Sequence, residues 1–287
     1  MARRLAFHIQ QNTTPKRVEA ILRFAAGEGG EKVDKSALAA DCGLAVSVLH
    51  KVVLPFVRQV GLLDSSCVTL TSLGEDLYHI SVESSSLFAE AMHCVLYTNH
   101  TFDAGKRFSW AYAKVVDALW GSSERVLDGT TTAQLVGMVV DEAAQAFEIP
   151  VEQVAFSKKS VRGVLNWLRA LDPPVAQRQG KHETFRRRYF CPIPTFLWGM
   201  DFLYRLNETP YGIRLFLTEE RIEQVCKLCV LDPSGLDNVL AMAKRMYDYE
   251  RGEFFDYGTT GGFGRWVLLS KAFGFGDVAS SRGENAP

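Results

Sequence analysis

The densest run of reactive or ligand-binding side chains lies between residues 157 and 190. Lys158, Lys159, Arg162, Asn166 and Arg169 cluster on one side of a helical wheel, and Arg178, Lys181, His182, Arg186, Arg187 and Arg188 follow in a strand-like stretch. Ammonium and guanidinium groups spaced in this way neutralise phosphates, while an amide such as Asn166 can reach base edges. The rival reading of the arginine run is a solvated edge strand, whose charge blocks unwanted pairing. Strand alternation sends Arg186 and Arg188 to one face and Arg187 to the other.

The other clusters read as structural. Cys226-Lys227-Leu228-Cys229 has the spacing of half a zinc site or a redox pair, but no second such pair exists and no His lies downstream. On a helix its two sulfurs share a side with Ile222 and Val225, which suits a core. Gly258-Thr259-Thr260-Gly261-Gly262-Phe263-Gly264 is rich enough in glycine to cradle phosphate. No Lys-Ser or Lys-Thr follows it, and the next element is a strand, so it reads as a hairpin tip. The histidines show no metal spacing on a shared helix face, and no Ser, His and Asp arrangement has a nucleophile elbow. A non-enzymatic protein without catalytic, metal or cofactor sites is expected.

Composition bounds the rest. The 287 residues carry a formal net charge of -1, so any affinity for nucleic acid must come from local clusters rather than the global field. With 47% hydrophobic and 23% charged residues the chain is a folded protein. No apolar run approaches the roughly 20 residues that span a bilayer, and the first residues lack the apolar core of a secretory signal. A cytoplasmic location, no membrane partner and reduced cysteines are expected.

The elements that must hold the basic cluster follow from periodicity. Ser157 is placed to cap a helix in which Val161, Val164, Leu165 and Leu168 form the buried stripe. Pro173-Pro174 ends it, and strands at residues 175–179 and 183–190 flank a turn at Gly180-Lys181-His182. Upstream, Thr130-Thr131-Thr132 caps a helix to about Phe147, and two aromatic-rich helices span Ser86 to Tyr97 and Phe108 to Trp120. Near the N-terminus, a helix from Thr14-Pro15, a short helix at residues 34–42, a glycine turn and the stripe Leu49, Val52, Val53, Phe56 and Val60 lead into a short strand at Cys67-Val68-Thr69-Leu70. A third series runs from Thr218 through Asp232-Pro233-Ser234-Gly235 to a hairpin at residues 253–269.

Helix, turn, helix, hairpin is the order of a winged helix, and the N-terminal residues resemble winged-helix regulators of bacteria and archaea over residues 14 to 80. Ala37-Leu38-Ala39 through Gly43-Leu44 looks like the helix-turn-helix core, Gly61-Leu62-Leu63 like its exit, and Leu70-Thr71-Ser72-Leu73-Gly74 like the entry to the next helix. Two departures stand out. Pro55 lies within the helix that would enter a groove and should kink or split it. The start of that helix, from Ala45 to Lys51, offers few groups suited to base edges. His182-Glu183-Thr184-Phe185 with Arg188-Tyr189 is similar to a motif of an uncharacterised bacterial winged-helix family that accompanies DNA-modification and phage-defence genes.

The expected fold is therefore mostly α with short β-hairpins, an α+β class of tandem winged-helix domains joined by helical connectors. Boundaries are expected at 1–82 for the first winged helix, 83–128 for a connector, 129–210 for the basic unit, 211–275 for a third unit and 276–287 for a loose tail. The expected function is duplex DNA binding, as a regulator or recognition subunit of a defence system. The residues assigned to it are Lys158, Lys159, Arg162, Asn166, Arg178, Lys181, His182, Arg186, Arg187 and Arg188. Two alternatives remain: an interaction scaffold within a larger complex, and a regulator that senses a small ligand near Trp110, Tyr112 and Trp120.

Overall fold

The computed structural model describes residues 4–28, 34–180, 182–251, 253–262 and 264–280. It is mostly helical with small sheets and divides into two compact units, residues 1–185 and 186–287. No described helix is long and apolar enough to cross a membrane.

The first unit begins with β1 (Leu5–Ala6), α1 (Pro15–Glu28), α2 (Lys35–Asp41) and α3 (Val46–Val48). A π-helical turn (Leu49–Val53) joins α3 to α4 (Leu54–Val60). This turn is how the chain accommodates Pro55: the Leu54 amide bonds the Leu49 carbonyl, one residue further back than in an α-helix. The expected strand at Cys67-Leu70 is represented by isolated bridge residues, Leu70 pairing with Leu63 and Val68 forming a further bridge. The Leu-Thr-x-x-Gly entry to α5 (Ser72–Glu83) has a plain physical basis. Thr71 Oγ1 donates to the Gly61 carbonyl at 2.6 Å and accepts the Gly74 amide at 3.1 Å, and a Cβ on Gly74 would overlap the Leu62 carbonyl.

Residues 83–128, expected as a connector, fall inside the first compact unit. α6 (Ser85–Phe102) and α7 (Arg107–Trp120) form the middle of the unit, with α6 packed on α1, α5 and α7. Next come β2 (Glu124–Leu127), α8 (Gly129–Ala146), β3 (Val154–Ala155), α9 (Lys158–Leu168), β4 (Ala176–Gln179) and β5 (His182–Arg186). α8 starts earlier than the threonines suggest, because Asp128 caps it by accepting the Thr131 amide at 2.7 Å. α7, α8 and α9 pack on one another, and the sheet runs β2-β5-β4. β1 pairs in parallel with β3.

The second unit holds α10 (Ile193–Leu206), β6 (Leu215–Phe216), α11 (Glu219–Leu228), α12 (Leu236–Tyr247), β7 (Phe255–Thr260), β8 (Gly264–Leu269) and α13 (Gly276–Ser280). The boundary expected at 210 falls at 185/186 instead, because α10 packs on α11 and α12. Its sheet runs β6-β8-β7. From α7 to β5, apart from β3, and again from α10 to β8 the elements follow one order: helix, strand, two helices and a hairpin, with the first strand paired to the last. The start of the expected tail is a helix, where Val278 is buried and the Gly274 amide bonds Asp277 Oδ2 at 2.7 Å. Residues 281–287 lie outside the described residues.

Candidate nucleic-acid interface

α9 buries Val161, Val164, Leu165 and Leu168 as its pattern requires, together with Ser160, Gly163 and Trp167. What remains outside is Lys158, Lys159 and Arg162. Lys158 and Arg162 stand one helical turn apart and share a face, whereas Lys159 points about 100° away. Ser157 occupies the cap position in extended conformation, but its side chain makes no capping bond; its carbonyl instead accepts the Ser160 amide at 2.8 Å.

The face carrying Lys158 and Arg162 borders an open cleft of about 530 Å³. Arg178 from β4 and His182 from β5 line it opposite the helix, and Leu127, Gly129 and Thr132 from the β2–α8 junction complete it. β4 and β5 pair antiparallel; His182, expected in the turn, belongs to the strand and pairs with Gln179, and Gly180 adopts a left-handed φ of 62°. Lys181 lies outside the described residues. Lys158, Arg162, Arg178 and His182 are exposed, and none forms an ion pair among the described residues.

Two carboxylates also border the cleft, both committed elsewhere. Glu183 takes a two-pronged contact from Arg169, Nε to Oε1 at 2.6 Å and Nη2 to Oε2 at 3.0 Å. Asp128 faces its own helix, and the Thr131 amide holds its carboxyl below the usual carboxylate range. The expected role of Asn166 fails for a related reason. Its Nδ2 donates to the Gln11 carbonyl at 2.8 Å and its Oδ1 accepts Arg169 Nη1 at 2.6 Å, so this amide braces the fold instead of reaching outward.

The arginine run does not act as one wing. β5 ends at Arg186, which is exposed and is the first residue of the second unit. Arg187 contacts Asp232 at 3.6 Å with its side chain only 16% exposed. Arg188 is 4% exposed: Nε donates to the Cys229 carbonyl at 2.8 Å, its amide to the Val230 carbonyl at 3.1 Å, and its carbonyl accepts the Asp232 amide at 2.7 Å. A residue so enclosed stitches the start of the second unit to the α11–α12 connection. Arg187 and Arg188 therefore leave the interface, and the strand expected to reach Phe190 stops short.

One positioning device was missed. The N-terminal segment runs along the buried side of α9, where a Cβ on Gly163 would overlap the Ile9 carbonyl oxygen and lie 2.8 Å from its carbon. His8 Nδ1 meets Ser160 Oγ at 2.9 Å, and burial lowers the His8 pKa. The signals were present: Leu5, Phe7 and Ile9 alternate, and a glycine inside a helix costs about 1 kcal/mol, which asks for a reason.

The remaining clusters are core. Cys226 and Cys229 are fully buried, and burial pushes the Cys226 thiol up to about 12. Tyr112 is fully buried with its hydroxyl 2.8 Å from His93 Nδ1, and Trp110 packs edge-on against Phe7 and Phe147. No protein-family model, curated protein or solved structure matches the chain.

Proposed function

We propose that this protein binds duplex DNA, without catalysing a reaction, as a chain of tandem winged-helix units, and that α9 with the β4–β5 hairpin is its interface. One observation carries the reading: cations from the first turns of a helix and from the adjacent hairpin border the same cleft without ion partners among the described residues. The element order supports it. A helix, a strand, two helices and a hairpin, with the first strand beside the last, recurs in both units, an order compatible with a winged helix. Lys158, Lys159 and Arg162 would contact phosphates from the helix, and Arg178, Lys181, His182 and Arg186 would track the backbone from the hairpin. A cytoplasmic regulator or recognition subunit of a defence system is the setting we favour. The N-terminal helix-turn-helix contributes little, since Lys51 is the only charged side chain among the exposed residues of α3 to α4.

Salt titration tests this. Each phosphate contact contributes a slope of about -0.9 in log K against log salt, so replacing Lys158, Arg162 and Arg178 together with Ala should flatten the slope by about 2 to 3 units. An unchanged slope rejects the interface.

A second reading has its own support in the second unit. There α12 holds the position of α9 but exposes Met242 and Met246, followed by Tyr249. Two of its nearby cations are committed, Lys244 to Asp256 at 2.7 Å and Arg265 to Asp237 at 3.0 Å, while Arg245 is exposed. This face suits protein contact within a larger assembly. Met242→Glu with Met246→Glu should abolish such assembly and leave DNA affinity intact; loss of DNA affinity instead would assign the face to DNA.

A further inference from the structure

We propose that the α9 cleft is a seat for a terminal phosphate monoester carried on a nucleotide, and not only a track for the phosphodiester backbone. The inference rests on the reading of this cleft as the nucleic-acid site and narrows what that site prefers.

Shape is the first argument. A backbone passing over a winged helix meets a ridge, whereas Lys158, Arg162, Arg178 and His182 border a concavity of about 530 Å³. That volume falls in the range of roughly 300–1,000 Å³ typical of small-ligand sites. It has room for more than a phosphate, and Leu127 and Leu165 give it apolar wall against which a sugar or base can rest.

Charge is the second. Lys158, Arg162, Arg169 and Arg178 line the cleft together with Asp128 and Glu183, an excess of two positive charges before His182 is counted. Arg169 and Glu183 satisfy each other, and Asp128 is spent on Thr131, so the cations left for a ligand are Lys158, Arg162 and Arg178. A backbone diester brings one negative charge to such a point. A monoester brings about 1.5 to 2 at neutral pH, together with three acceptor oxygens for donors that arrive from a helix and a strand. The local excess is therefore matched by a monoester and only half matched by a diester.

Two sources carry this chemistry, the phosphorylated end of a DNA strand and a free mononucleotide. The test measures binding of a blunt duplex with 5′-phosphates, the same duplex with 5′-hydroxyls, and adenosine monophosphate, for the native chain and for Arg162→Ala and Arg178→Ala. Both arginines are exposed, and a thermal melt of each variant checks that the fold is kept. The expected result is about tenfold tighter binding of the phosphorylated duplex, the size of one charge-assisted hydrogen bond, with the preference lost in both variants. Equal affinity for the two duplexes overturns the monoester seat while leaving duplex binding intact. Binding of adenosine monophosphate that the variants lose, with no binding of either duplex, keeps the seat and overturns the DNA reading. Failure of all three ligands overturns both.

Discussion

Gly163→Ala isolates the contact that fixes α9. On an open helix face the exchange would stabilise by about 1 kcal/mol, since alanine restricts the unfolded chain and favours the helix. At this position the new Cβ would overlap the Ile9 carbonyl oxygen and lie 2.9 Å from Ile9 Cγ2, so backbone must move. Overpacking of this kind costs about 1–3 kcal/mol. The displaced segment also carries the His8–Ser160 bond at 2.9 Å and the Asn166–Gln11 bond at 2.8 Å, each contributing about 0.5–1.5 kcal/mol. If both bonds are lost, the net expectation is destabilisation by about 1–5 kcal/mol, which for a unit of this size lowers the melting temperature by roughly 2–20 °C. Gly137 supplies the control: it is exposed within α8, with nothing inside 4 Å of its Cβ position, so Gly137→Ala should raise the melting temperature by a few degrees. Thermal unfolding of the two variants side by side decides the matter. If Gly163→Ala stabilises as Gly137→Ala does, the N-terminal segment does not press on α9 and the account of how that helix is held is wrong. Duplex affinity should fall in Gly163→Ala and stay unchanged in Gly137→Ala.

Three further outcomes follow from the same geometry. Arg188→Ala should destabilise the second unit by about 2–4 kcal/mol, because it strips a buried carbonyl of its charged donor, while the salt slope of DNA binding stays as in the native chain; a changed slope would return Arg188 to the interface. Glu183→Gln should tighten duplex binding by removing a negative charge beside the cleft, at a cost near 1 kcal/mol after solvent screening of the Arg169 pair; weaker binding measured by polarisation would mean that the pair shapes the site. His8 and His100 both have pKa values lowered by burial, so the fold favours their neutral forms. Their contribution is complete above the unfolded value of about 6.5 and is lost as pH falls through the lower folded values. Melting temperature should therefore drop below that pH, and less steeply in His8→Gln; identical profiles would exclude His8.

Much was legible in the chain because it depends on near neighbours. The buried stripe of α9, the hairpin at Gly180, the cores around Cys226 and Cys229 and the α5 entry at Thr71 and Gly74 are all set by periodicity, turn chemistry and capping within a few residues. The cap of α8 was misread by a few positions because three threonines and Asp128 offer equivalent oxygens, and only the folded backbone selects among them.

What local sequence could not rank was the destination of each charge. Arg178 and Arg188 look alike in the chain, yet one borders the cleft and the other is enclosed by the carbonyls of residues 229 and 230. Asn166 and Gln11 are far apart in sequence and meet only because β1 pairs with β3. The amino-acid sequence by itself determined that a cationic helix start would precede a cationic hairpin, since both are local. Tertiary structure alone decided which of those cations stay open to a ligand, because an ion or hydrogen-bond partner is supplied by whatever segment folding brings within reach.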